Sequence, residues 1–201
     1  MRVKVIEIEI GTYMEWKAVN DSVAEKILEL NRDINTDYDW YSCSIEKFCK
    51  NVKKIGFETD FEEVQFTGFY SQGDSASFTS SIDILEYLKG TKQLTKYSAL
   101  RRAIDNDKIE NRVCIIRDSY HYSHENTCSV EQIDVYTDNI TDLVGSQIAE
   151  LESELEERRL ELSTELYREL YNEYNYLCSD KALIKTFVTN EYEFDKNGKI
   201  I

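Results

Sequence analysis

Apolar and polar residues mostly alternate at the start of this chain, then settle into helical spacing. Val3, Val5, Ile6, Ile8 and Ile10, with Lys4, Glu7 and Glu9 on the wet side, predict a first strand that can run on through Tyr13 to Lys17. Ser22 and Glu25 make the S-x-x-E pattern in which a hydroxyl and a carboxylate satisfy the first free N–H groups of a helix. Val23, Ile27, Leu30 and Ile34 follow at helical spacing, so a helix from Val23 to about Ile34 is predicted with those side chains inward. Asn35 to Ser42 is a polar loop carrying Tyr38, Trp40 and Tyr41. Ser44 caps a second helix, Ile45 to Ile55, that buries Phe48, Val52 and Ile55, and Gly56 ends it in a left-handed conformation.

In the middle of the chain Val64 and Phe66 alternate with polar residues, and Ala76, Phe78 and Ile82 or Ile84 form a return strand. Between them Tyr70-Ser71-Gln72-Gly73-Asp74 reads as a polar hairpin tip of about four residues. There Gly73 supplies a positive φ, and Ser71 or Asp74 bonds the local backbone. Ile82 to Lys89 fits strand and helix equally. Ser98 to Asp105 is a short helix with Leu100 and Ile104 inward, Val113 to Ile116 a buried strand, and Cys128 to Val135 another.

The rhythm then changes. From Asp142 to Leu177 there is no proline, and no glycine after Gly145. Ile148, Leu151, Leu155, Leu162, Leu166, Leu170, Tyr174 and Leu177 recur at intervals of three, four or seven. This predicts one amphipathic helix about 50 Å long at 1.5 Å per residue. Such a rod can cross a sheet, pair in a helical hairpin, or dimerise as a coiled coil, although Arg158-Arg159 interrupts a heptad seam. Ser179 caps a last helix, Lys181 to Thr189, before an edge strand at Tyr192–Asp195 and a turn through Gly198. The expected fold is α+β: a core domain over 1–140 with a small, mostly antiparallel sheet and N-terminal helices, then a helical arm and tail over 141–201.

Charge narrows the function. The 201 residues hold 24 basic and 39 acidic side chains, a net −15. That field opposes nucleic acid and anionic membranes and favours basic partners. From Thr141 to Asp180 there are eleven acids and three arginines, so much of the excess rides on the long helix. Five cysteines, an odd number, with no leader at Met1-Arg2-Val3-Lys4 and no apolar run near 20 residues, predict free thiols in a reducing cytoplasm and no membrane span.

The stretch Phe66-Thr67-Gly68-Phe69-Tyr70-Ser71-Gln72-Gly73-Asp74-Ser75-Ala76-Ser77-Phe78 resembles the F-x-G-F-x-S-Q-G-D-G-A-S/C-F segment of a protein family found mostly in bacteriophages and prophages. Members of that family are often described as antitoxin-like. Val113-Cys114-Ile115-Ile116-Arg117 running into Tyr120-His121-Tyr122-Ser123-His124 is similar to the same family. So is the tail from Leu166 to Gly198, with Leu170 to Asp180 and Asn190 to Phe194. Ser75 stands where the family usually has glycine. The resemblance implies a phage origin and little about mechanism.

The chemical inventory is thin. His121 and His124, three apart, with Cys114 and Cys128, lack the spacing of a zinc site, so no metal and no cofactor is expected. Ser71, Asp74 and either histidine can be written as a triad, but Gly68-Phe69-Tyr70-Ser71-Gln72-Gly73 has one residue too many for a nucleophile elbow, and the sequel reads as a strand. The expectation is therefore a non-enzymatic, phage-encoded acidic protein, antitoxin-like or anti-defence. It would bind and inhibit a host protein, such as a toxin, nuclease or other defence component, in the host cytoplasm. An acidic surface at Glu150, Glu154, Glu157, Glu161 and Glu165 would mimic nucleic acid, with carboxylates every ~3–6 Å along the helix against a phosphate every ~1.7 Å of duplex axis. The alternative is a binder of a small nucleotide signal, with Tyr70, Ser71, Gln72, Gly73, Asp74, Tyr120, His121 and His124 around the hairpin tip. A homodimer through the long helix is the remaining interaction the pattern allows.

Overall fold

The computed structural model describes residues 9–119 and 123–201. Val3, Val5, Ile6 and Ile8 of the first predicted strand lie outside the described residues, as do Tyr120 and His121. The fold is α+β, with seven α-helices and antiparallel strand pairs among the described residues. Its contacts group into two units. Residues from both chain ends make the first, so this division does not follow the composition shift at 141.

The first unit contains residues 9–41 and Tyr171–Ile201. β1 (Ile10–Thr12) pairs antiparallel with β8 (Glu193–Asp195), Ile10 opposite Asp195 and Thr12 opposite Glu193. Tyr13 to Lys17 is not a continuation of the strand but the start of α1 (Tyr13–Val19). The reason is local: the Glu15 N–H donates to Thr12 Oγ1 and the Thr12 N–H to the Glu15 carboxylate at 2.8 Å, a reciprocal cap that turns the chain. Tyr13 and Trp16, three apart, then face inward together.

α2 (Asp21–Leu30) begins behind Asn20, not at the predicted Ser22–Glu25 box. Its core face is Ala24, Ile27 and Leu28, which leaves Leu30 to the side and 56% exposed. α7 (Asp180–Thr189) closes this core with Leu183 and Phe187, and Ser179 caps it as its position predicts. The Trp16 Nε1–H donates to the buried Phe194 carbonyl at 2.9 Å, tying the two ends of the chain together.

The second unit is Ser42–Leu170. After α3 (Ser42–Lys53), Gly56 takes φ +88, and a side chain there would meet the Tyr87 backbone nitrogen at 2.6 Å. β2 (Phe57–Glu58), β5 (Ser80–Asp83), β6 (Arg112–Arg117) and β7 (Cys128–Val130) form an antiparallel sheet in the order β2-β5-β6-β7. Phe57, Ile82, Val113 and Ile115 are buried, while Glu58, Arg112 and Ile116 are exposed. Ile82 to Lys89 is both things its sequence allowed. The strand ends at Asp83, whose carboxylate accepts the Glu86 N–H at 2.8 Å and starts α4 (Ile84–Gly90). The strand predicted to Val135 stops at Val130, and Val135 makes only an isolated bridge with Ile109.

α5 (Ser98–Asp105) buries Leu100 and Ile104 as predicted. The long helix, α6 (Asp142–Leu177), also has its predicted span, but through Leu170 it belongs to this unit and is no free arm. Leu151, Leu155 and Leu170 are fully buried. Gln147 donates to the Lys96 carbonyl and accepts the Leu100 N–H, each at 2.8 Å. The apolar stripe is thus covered by its own chain, and a coiled-coil dimer would have to withdraw these side chains from the core. No helix among the described residues is long and apolar enough to cross a membrane, and all five cysteines are free thiols.

Candidate protein-binding loop

β3 (Val64–Phe66) and β4 (Ala76–Phe78) pair as Val64 with Phe78, Gln65 with Ser77 and Phe66 with Ala76. The loop between them, residues 67–75, is longer than the expected tip. It has two closures. At its base the Thr67 N–H donates to the Ser75 carbonyl at 3.0 Å, and the Ser75 N–H to Thr67 Oγ1 at 2.9 Å. At its tip the Ser71 N–H donates to Asp74 Oδ2 at 2.7 Å, and the Asp74 N–H to the Ser71 carbonyl at 3.2 Å. Gly73 turns the chain there at φ +90, as its place in the motif predicts.

Beneath the tip the loop is anchored to the rest of its unit. Phe69 stacks on Phe66, ring centres 5.9 Å apart, and packs on Tyr167 of α6 at 5.6 Å. The Tyr167 hydroxyl donates to the Gly68 carbonyl at 3.3 Å. Ser75 is buried and has no positive φ, so its backbone does not need the glycine seen in the resembling family. Its hydroxyl donates to Glu125 Oε2 at 2.8 Å. The Glu125 carbonyl in turn accepts from Arg159, which is 2% exposed and forks onto the Glu156 carboxylate. Ser77 and Gln65 are held likewise, by Arg117 at 3.0 Å and Ser123 at 2.9 Å. What faces outward is Tyr70, 73% exposed, with Ser71, Gln72 and Gly73.

This arrangement assigns several candidate residues to scaffolding. The Asp74 carboxylate holds the Ser71 backbone N–H and is spent on the turn. The N–H groups of Ser71 and Asp74, two donors a phosphate would use at this glycine turn, are already engaged. His124 accepts the Asn126 N–H on Nδ1 at 3.1 Å and opens a one-turn 3₁₀ segment, Glu125–Thr127. No cluster of three histidine, cysteine or acidic side chains suited to a metal occurs among the described residues.

The five acidic candidates on α6 separate in the same way. The Glu154 carboxylate accepts from the hydroxyls of Tyr87 at 2.9 Å and Tyr97 at 3.0 Å, from Gln93, and from Lys96 at 3.3 Å. Burial by itself would raise its pKa, but these donors outweigh burial and hold it below the usual carboxylate range. Burial first, and Glu154 second, push the Tyr87 phenol upward. Glu150 pairs with Lys96 at 3.0 Å, and Glu161 and Glu165 flank Arg158 at 2.7 and 3.9 Å. Glu157, Glu161 and Glu165 are exposed and share one face of the helix.

Two further acids cap backbone at the edge of the sheet. Glu156 accepts the Val130 N–H at 3.1 Å and Glu152 the Ile133 N–H at 2.8 Å. Sequence reasoning missed Phe69, Glu125, Arg159 and Tyr167 as parts of this site. One signal was present: Arg159 breaks the apolar stripe at a position whose helical phase points into the core.

Comparison with known families matches residues 40–180 to a domain of unknown function, DUF8835. No curated protein and no solved structure matches the chain. The matched stretch takes in the loop, the turn that anchors it and the helix behind both. Since it also covers well over half of the sequence, the chain belongs to the DUF8835 family.

Proposed function

We propose that this chain is a phage-encoded, non-enzymatic protein that binds and inhibits a host protein through the loop at residues 67–75. One observation carries the reading. The scaffold of the loop is hydrogen-bonded and stacked and has Ser75 buried at its base, while its tip presents Tyr70 at 73% exposure. A rigidly mounted tyrosine buries a large amphipathic surface for little conformational entropy, which suits it to anchor a protein interface. The net charge of −15 selects for a partner with a basic surface, such as a toxin, a nuclease or another defence component in the host cytoplasm. The phage setting rests on the sequence resemblance. Glu157, Glu161 and Glu165 supply the exposed acidic face that a nucleic-acid-mimicking version requires. Glu154 does not serve it, because its carboxylate is committed to Tyr87, Tyr97, Gln93 and Lys96.

The test is affinity capture from host lysate with the tagged chain and its Tyr70→Ala variant, with mass spectrometry of what is retained. The expected result is one stoichiometric protein held at moderate salt by the parent and reduced at least tenfold by Tyr70→Ala, with an unchanged melting temperature. Equal capture by Tyr70→Ala together with loss in the Glu157→Lys/Glu161→Lys/Glu165→Lys variant would move the interface to the helix. Capture of nothing by the parent would end the inhibitor reading.

A further inference from the structure

In the first unit an open groove of about 410 Å³ lies between the start of α1 and the end of α7. Its floor is the rings of Tyr13 and Phe187, 6.1 Å apart and 5% and 1% exposed. Met14 and Val188 flank it and remain 57% and 56% exposed. Glu191 and Glu193 bring the charged groups to its lining, and among the described residues no lysine or arginine lines it. Glu191 has φ +53, and the Glu191 and Tyr192 N–H groups bond back to the Val188 and Phe187 carbonyls, which fixes its position after α7.

We infer that this groove docks a basic segment of a partner protein, an apolar side chain entering against Tyr13 and Phe187 while flanking lysines or arginines meet Glu191 and Glu193. Charge complementarity selects this occupant. An acidic or neutral apolar segment would bury its side chain beside two unanswered carboxylates, whereas a basic one pairs them. The exposed apolar pair supplies the anchor, since adjoining exposed apolar side chains rimmed by charge mark interaction surfaces. All six residues lie outside 40–180, so the groove belongs to parts of this chain beyond the family domain and is separate from the loop at Tyr70.

The test uses the full chain with methyl-labelled methionine and valine and a synthetic heptapeptide of alternating lysine and leucine. The expected result is saturable movement of the Met14 and Val188 methyl resonances. Affinity should weaken at least tenfold in Val188→Lys and in Glu191→Gln/Glu193→Gln, with thermal melts verifying the fold of both variants. Tyr70→Ala should leave this binding unchanged, which separates it from the loop interface. A heptapeptide of alternating glutamate and leucine should not bind. The inference is overturned by equal binding of the glutamate peptide, by unchanged affinity in Val188→Lys, or by shifts spread over acidic surface away from Met14 and Val188.

Discussion

Among the described residues, three helices end on a left-handed residue that is not glycine: Lys92, Asp107 and Glu191, at φ +61, +54 and +53. Aspartate tolerates that conformation; lysine gains nothing there and crowds its own carbonyl. Lys92→Gly should therefore stabilise the protein by roughly 0.5–1 kcal/mol, the glycine's greater unfolded freedom offsetting part of the relief. Urea denaturation would show the midpoint rising without a change of slope. Ser163 invites the opposite kind of repair. It is 1% exposed, and its hydroxyl has no hydrogen-bond partner among the described residues. Ser163→Ala removes a desolvated donor from a helix interior and should add about 1 kcal/mol, seen as a higher melting temperature. Single residues were legible where backbone chemistry dictated them, as at Gly56, Gly73 and Ser179. They were not where a long-range partner decided, as with Ser75 and Glu125, fifty positions apart in the chain.

Among the elements, α6 was legible in extent, while what packs against it was left open among several possibilities. Periodicity reports that one face is apolar; it does not report what covers that face. The acids on the helix looked like a solvated charge run, yet Glu152, Glu154 and Glu156 are held by backbone and side-chain donors of their unit. Donors outweighing burial at Glu154, and above all the Arg159 guanidinium at Glu156, lower both carboxyl pKa values in the fold. Their contribution to stability is thus fully present above the unfolded glutamate value of ~4.3 and is lost as pH falls through it toward the lower folded values. Melting temperature plotted against pH should decline on the acid side, and Glu154→Gln should flatten that decline. Arg159→Met tests the other anchor. It strands the Glu125 carbonyl and frees Glu156, and should cost roughly 2–4 kcal/mol. Amide exchange should also quicken in the loop at 67–75, which a change confined to the helix would not produce.

At the scale of the whole molecule, composition drew a boundary at 141 because that is where charge and glycine content change. Contacts draw it elsewhere because the core of the first unit needs Ala24, Ile27 and Leu28 from one end of the chain and Leu183, Phe187 and Phe194 from the other. Neither set alone makes a core, and nothing in the local pattern of either announces the partnership. A chain shortened to end at Leu170 should leave Trp16 without the Phe194 carbonyl and without its apolar surroundings. Its tryptophan emission should shift to the red, while the protected amides of α4 to β6 remain protected.

The pairing of β1 with β8 also bears on how the protein is made. On a ribosome the second unit has all of its sequence as soon as Leu170 clears the exit tunnel. The segment through Tyr41 must wait for Glu193–Asp195 before its strand finds a neighbour. At elongation rates of roughly 5–20 residues per second that wait is on the order of ten seconds. Through it Tyr13, Trp16 and Ile27 stay uncovered, so these residues are translated well before their core is complete, and a nascent-chain chaperone would have that interval in which to hold them.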